Sequence, residues 1–270
     1  MMSAFPEGVW ILLAVSAVFC AIGFKKTVWF LSIGYGMSTA ALGAALLIMG
    51  LSRGACGIAY IAQCVLLVVY GFRLGGFILI RELKNANYRK KIDAEFDPKK
   101  KTPVFVNAAI WITVAFLYFM ETSPVFYRLA NGHAAAADAC EWIGLMISVI
   151  GVTLETLADK QKSAQKKVNP NAPAMKGLYK MCRCPNYFGE IVFWTGVFVS
   201  GLSILGGWQW LIAGLGWVCI VYVMFNGAQR LEKRQNKNYG GMAEYRAYAD
   251  KTPIIIPLLP VYHLVKEEKK

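Results

Sequence analysis

Seven long apolar stretches, at residues 8–24, 28–50, 55–80, 103–120, 140–158, 188–205 and 208–228, constrain this chain more than any other feature. An α-helix needs about 20 apolar residues to cross a hydrocarbon core about 30 Å thick. Inside that core each backbone N–H and C=O must be satisfied by the protein itself, which leaves helices or a closed barrel. Runs of this length read as helices. At 57% hydrophobic and 17% charged residues, the composition is that of a membrane protein. The expectation is an all-α integral membrane protein of about seven transmembrane helices. The first stretch lacks a basic flank and a small-residue cleavage site, and so reads as a retained span and not a signal peptide.

The net charge of +13 invites a nucleic-acid reading, but its distribution argues against one. Of the 29 Lys and Arg residues, 26 fall on one side if the seven stretches alternate across a bilayer; Arg53 and Arg128 fall on the other, and Arg73 lies within the third stretch. The positive-inside rule then puts the N-terminus outside and the C-terminal tail in the cytosol. The protein is expected to be multi-pass, in a bacterial inner membrane or, in a eukaryote, the endoplasmic reticulum. Membrane lipids are expected partners and nucleic acid is not.

Seven cysteines suggest neither a metal nor a disulfide framework. Cys20, Cys56, Cys64, Cys140 and Cys219 lie in or beside apolar runs, where free Cys behaves as a small hydrophobe. Cys182 and Cys184 form Cys-x-Cys with no second pair nearby, and His133 and His263 are the only histidines. Asn169-Pro170-Asn171-Ala172-Pro173 is a turn-rich break, and the tail from Gln229 is aromatic enough to pack back as helices.

Three polar constellations interrupt the apolar pattern. Tyr70, Arg73, Phe77, Arg81 and Lys84 advance by three or four residues and share a helix face. An arginine within a span costs on the order of 2.5–3.5 kcal/mol on insertion scales, so Arg73 calls for a phosphate, a carboxylate ligand, or a protein carboxylate such as Glu155 or Glu190. Gly71 and Gly75 on the adjacent face invite close helix approach. Glu155 and Asp159 stack at i,i+4, and Lys162 and Lys166 continue the line. This set suits ribose or amide hydrogens followed by phosphates, or merely ion pairs at a helix end. The third set is Gly177-Leu178-Tyr179 through Arg183-Cys184-Pro185-Asn186-Tyr187-Phe188-Gly189-Glu190. Pro185 suits a first helical turn, and a helix opening there aims its N–H groups at an anionic ligand. No Gly-x-Gly-x-x-Gly or P-loop pattern occurs, so a dinucleotide would bind without a Rossmann fold.

This third set resembles the C-terminal signature of steroid 5-alpha-reductases and their bacterial relatives. Tyr70-x-x-Arg73, the Glu155/Asp159 helix and the tail from Arg230 through Tyr245-x-x-Tyr248 to Pro257 are similar too. The resemblance spans residues 28–260 and is most specific over 150–200. It implies a seven-span enzyme that takes NADPH on its cytosolic side and reduces a carbon–carbon double bond conjugated to a ketone in a lipophilic, steroid-like substrate. Carried over, Tyr70 matches the tyrosine that polarises the ketone. Arg73, Lys84, Asp159, Lys166, Asn186 and Glu190 fall on cofactor-contact positions, with Arg230 and Arg234 near another. Glu155, Arg183, Tyr187 and Tyr248 complete the expected cofactor set. In one membrane domain, residues 1–138 would serve the substrate and residues 139–270 the cofactor.

The chain departs from that pattern where the steroid reductases carry a glutamate after Trp-Phe-Leu. Here Trp29-Phe30-Leu31 runs into Ser32-Ile33-Gly34-Tyr35, which leaves Ser32, Tyr35 or Gln63 to meet the enone. The signature also recurs, with His in place of Cys184, in isoprenylcysteine carboxyl methyltransferases, which use S-adenosylmethionine. Arg73 and the lysines after Asp159 favour the polyphosphate cofactor over that alternative, and over a non-enzymatic lipid-binding or transport protein.

Overall fold

The computed structural model describes residues 3–54, 56–84 and 102–265; the basic residues from Arg89 to Lys101 lie outside them. Among the described residues every regular element is helical. The α-helices are α1 (Val9–Cys20), α2 (Ile33–Ser52), α3 (Ile58–Lys84), α4 (Val104–Ala130), α5 (Ala139–Val168), α6 (Pro185–Gly201), α7 (Trp208–Tyr239) and α8 (Ala243–Ala249). The first seven coincide with the seven apolar stretches. Five apolar segments are long enough to cross a membrane: Thr27–Ser52, which includes α2, and the helices α3, α4, α5 and α7. The Val9–Phe24 segment and the 17-residue α6 are shorter. Several long apolar helices make this a multi-pass membrane chain. α7 continues eleven residues beyond the expected end at 228, carrying the start of the basic tail as helix. The rest of the tail is α8 and irregular chain, where further helices were expected.

The chain divides into two compact units. One comprises Met1–Leu145 and Val197–Trp217; the other comprises Met146–Gly196 and Val218–Lys270.

In the first unit α2 and α3 pack along a seam of small residues. A Cβ at Gly71 would stand 2.3 Å from the Gly36 carbonyl oxygen and 2.5 Å from Ala40 N, and one at Gly43 would stand 2.9 Å from the Cys64 oxygen. Lipid provides no hydrophobic drive between helices, so close backbone contact and hydrogen bonds hold them. Tyr60 Oη donates to Leu46 O (3.0 Å), Ser16 Oγ to Ala115 O (3.0 Å) and Trp111 Nε1 to Ala17 O (2.7 Å). Pro124 lies inside α4 and deprives the Met120 carbonyl of its usual donor. The Ser123 hydroxyl takes over, at 2.8 Å.

In the second unit α5 and α6 cross on glycine again. A Cβ at Gly151 would meet Phe193 N at 2.3 Å, and one at Gly189 would meet Glu155 N at 2.6 Å. Ser148 Oγ donates to Phe193 O (3.1 Å) beside the crossing. The loop before α6 is stapled to α5 by two glutamines. Gln165 Oε1 accepts from Met175 N and Lys176 N, and Gln161 Oε1 from Leu178 N. Gly177 takes φ 69°, which an L side chain rarely adopts, and so permits the turn into the signature.

Candidate functional site

The α2–α3 glycine seam decides where Tyr70 points. Tyr70 precedes Gly71, Tyr35 precedes Gly36, and the close approach of those glycines brings the two phenols together. Their hydroxyl oxygens are 3.3 Å apart, with both residues buried. The Tyr35 ring packs on Tyr118 at 5.0 Å between centroids. Tyr118 Oη in turn donates to Phe30 O (2.6 Å), which fixes the ring. The expected Tyr70 and Tyr35 therefore form one unit. Ser32 does not join by its hydroxyl, which donates to Val28 O (2.9 Å).

Gln63 lies two turns before Tyr70 on α3. Positions 63, 67 and 70 share a face, and all three residues are buried. Neither amide atom of Gln63 has a hydrogen-bond partner among the described residues. Arg73 is half-buried one turn beyond Tyr70, and Lys84 is exposed where α3 ends.

Sequence reasoning passed over Glu82. Its carboxylate is buried and accepts from Lys26 Nζ (2.9 Å) and from Trp29 Nε1 (2.8 Å). An acid thus does reach the Trp29-Phe30-Leu31 string, from α3 and not from the string itself. Twelve residues separate Glu82 from Tyr70, about 18 Å of helix, so it cannot pair with that phenol. The available signal was a lone acid at the basic end of a span. Tyr118, too, was not singled out from sequence.

The second unit collects the other expected residues around the loop that precedes α6. α6 begins at Pro185, so Asn186, Tyr187 and Glu190 occupy its first two turns. Asn186 Oδ1 is buried without a hydrogen-bond partner among the described residues. The Tyr187 ring lies over Gly227 of α7, where a Cβ would stand 3.4 Å from it. Arg230 and Arg234, one and two turns further along α7, are exposed and close enough to act on Tyr187 electrostatically. Glu155 and Glu190 are both buried beside the Gly151/Gly189 crossing. Asp159 is half-buried and near Tyr179, whose phenol is pushed above its ordinary value by burial and then by the Asp159 charge.

Lys166, Arg183 and Tyr248, all expected cofactor contacts, are engaged by the protein. Lys166 Nζ donates to Pro170 O (3.1 Å), Ala172 O (2.6 Å) and Tyr239 Oη (2.6 Å), which uses all three ammonium hydrogens to hold the turn-rich loop. Arg183 is buried; its Nη2 pairs with Glu232 Oε1 (2.7 Å) and also meets the Tyr262 carbonyl. Glu232, itself buried, accepts further from His263 Nδ1 (3.0 Å), Leu264 N (2.8 Å) and Val265 N (3.1 Å). Arg183 N and Cys184 N donate to Pro253 O and Ile254 O. The tail is thereby clamped onto the signature loop. Tyr248 Oη donates to Tyr179 O (2.6 Å) within the same clamp. Burial pushes the Cys182 and Cys184 thiols up to about 12, so both are neutral at physiological pH.

The chain is 28% identical over 217 residues to an uncharacterized protein of Schizosaccharomyces pombe, covering 71% of this chain and 59% of that protein. Over 65 residues it is 38% identical to the steroid 5-alpha-reductase DET2 of Gossypium hirsutum, covering 23% of this chain and 25% of the other. It thus spans less than two thirds of either relative. No solved structure matches it. The model of the family described as "Protein of unknown function (DUF1295)" matches residues 18–252. With most of its length covered, the chain belongs to the DUF1295 family, a steroid 5-alpha-reductase-like family.

Proposed function

We propose that this protein is a seven-span membrane reductase, with its N-terminus outside and its C-terminus cytosolic, that uses NADPH to reduce a carbon–carbon double bond conjugated to a ketone in a lipophilic, steroid-like substrate. The observation that carries this reading is the buried Tyr35–Tyr70 hydroxyl pair, 3.3 Å apart on two membrane helices. Two phenols in contact in an apolar setting make a neutral, aimed hydrogen-bond donor. In this reading Tyr35 donates to the Tyr70 oxygen, and the Tyr70 hydrogen is directed at the ketone oxygen. Reduction of an enone builds negative charge on that oxygen, and a preorganised donor stabilises it without reorganising solvent. The pair takes the place of the tyrosine–glutamate pair that the family resemblance implies.

The residues of the second unit fit a dinucleotide. The buried Asn186 Oδ1, without a partner among the described residues, suits the N–H of a carboxamide. The first turn of α6 offers backbone N–H groups. Arg230 and Arg234, exposed near Tyr187, would neutralise phosphates. Glu155, Asp159, Tyr187 and Glu190 would orient ribose and amide groups. NADPH, when bound, supplies the hydride. Lys166, Arg183 and Tyr248 would contribute by holding the loop and tail that shape the pocket.

The test is the thermal stability of detergent-purified protein with NADPH, NADH or S-adenosylmethionine, followed by turnover of a 3-oxo-Δ4 steroid. A ligand at about 100 times its Kd adds about 2.7 kcal/mol. A shift with NADPH and consumption of the enone are expected. A shift with S-adenosylmethionine alone overturns the reading in favour of methyl transfer. Tyr70→Phe should lower kcat by about 10²–10³-fold, the scale for removing one oxyanion donor, and leave the NADPH shift intact.

A further inference from the structure

A buried amide with both its donor and its acceptor unspent is costly. Each unsatisfied buried polar group forfeits its solvation with nothing in return, and a polar side chain within an apolar span is by default a functional group. Gln63 is such a residue: 1% exposed, on α3, with neither amide atom hydrogen-bonded among the described residues. Its neighbours on α3, Cys64 and Leu67, face the glycine seam of α2 and offer no side-chain amide or carboxylate. Leucine or methionine would fill the same space without that cost.

Position adds a length. Gln63 and Tyr70 lie on one helix face, seven residues apart, so the two side chains are offset by about 10.5 Å along the axis. That is the span of a rigid fused four-ring skeleton. A ligand whose ketone meets Tyr70 and whose long axis follows α3 therefore carries its opposite end to Gln63. An amide accepts and donates, so it reads a hydroxyl or a second carbonyl there.

We infer that Gln63 is a specificity-determining residue that recognises a second polar group on the substrate, at the end remote from the enone. This rests on the reductase reading for the chemistry at Tyr70, but not for the binding itself. A site built to hydrogen-bond one group rejects the analogue that lacks it, because its own polar atoms are then left unpaired.

The test compares two 3-oxo-Δ4 steroids that differ only in a hydroxyl at the far ring, using full-length protein in detergent with NADPH. Wild type should favour the hydroxylated compound in kcat/KM by about tenfold, the scale of one net hydrogen bond. Gln63→Met and Gln63→Leu should abolish that preference, mainly by a rise of about tenfold in KM for the hydroxylated compound, with thermal stability equal or higher. Loss of activity towards both steroids alike, or a preference that survives both substitutions, overturns the assignment. The same comparison is made by steroid-induced thermal shift. If neither compound turns over but the hydroxyl-dependent shift is present in wild type and absent in Gln63→Met, the reductase reading fails and the role of Gln63 stands. If neither compound binds, the role of Gln63 is overturned as well.

Discussion

The two units solve one problem with the same device and finish it differently. In the first, Gly36 and Gly71 let α2 and α3 touch, and the flanking Tyr35 and Tyr70 become a buried neutral pair. In the second, Gly151 and Gly189 let α5 and α6 touch, and the buried polar residues beside them are the carboxylates Glu155 and Glu190. Glycine in a helix carries a cost in conformational entropy, and here it secures backbone contact where a polar side chain has to be placed. At its seam the first unit sets an uncharged phenol pair, and its buried charges elsewhere are paired, Glu82 with Lys26 and Arg128 with Asp138. The second sets carboxylates at its crossing and fastens the tail to the loop before α6 with the Arg183–Glu232 pair. Neutral groups suit a lipophilic ligand, and charged ones suit a polar cofactor and a tail that must be held.

The sharpest way to break this contrast is to open the clamp. Glu232→Leu leaves Arg183 buried without its carboxylate and should cost about 3–5 kcal/mol. Thermal melting and limited proteolysis of the segment 250–265 would report it, and unchanged melting would show the pair to be dispensable. Next is the seam: Gly71→Leu would drive side-chain atoms into the Gly36 carbonyl and Ala40 backbone. The helices must separate, at about 1–3 kcal/mol or more. Enone turnover should be lost along with the hydroxyl pair while the NADPH-induced shift persists. Tyr35→Phe is subtler. Removing one neutral hydrogen bond should cost about 1 kcal/mol of stability or less, but lower kcat by about tenfold or more without changing the apparent affinity for NADPH. If kcat is unaffected, Tyr35 is only packing.

The smallest effect concerns a polar knot in the first unit. Buried Arg128 donates to Ser200 O (2.6 Å), Ser203 Oγ (3.1 Å) and Asp138 Oδ2 (3.0 Å). Burial alone would raise the Asp138 carboxyl. The Ser203 hydroxyl, the Glu141 N–H and the Arg128 guanidinium together hold it below its ordinary value. A depressed carboxyl stabilises the fold above its ordinary value of 3.8 and loses that contribution as the pH falls through its folded value. With the carboxylate about a third exposed and so screened by water, the contribution is a few tenths of a kcal/mol to about 1 kcal/mol. Asp138→Asn should lower the melting temperature slightly at pH 7, with the difference from wild type shrinking as the pH falls below 3.8 and through the folded value; a difference that does not change with pH would show a packing effect.

Much of the fold was legible because the governing rules are local. Apolar runs gave the helices, Pro185 marked the start of α6, and Gly71-x-x-x-Gly75 marked a face for close approach. Other features were not legible, since they depend on partners far along the chain. Lys166 reads as a phosphate ligand and Arg183 as a cofactor contact by residue type and place. Glu232 lies 49 residues from Arg183 and Tyr239 lies 73 from Lys166, and only folding brings them together.

From sequence alone came the membrane class, the helix positions, the family signature and the short set of polar residues proposed for the site. Periodicity, hydropathy and chain-breaking residues act within a few turns and leave their mark on neighbouring positions. Tertiary structure alone decided that Tyr35 joins Tyr70, that Glu82 serves Lys26 and Trp29, and that Arg183 serves the tail. Those outcomes depend on the rotation and offset of one helix against another. Small residues permit a close approach but do not specify its register, which the packing of both helices fixes together.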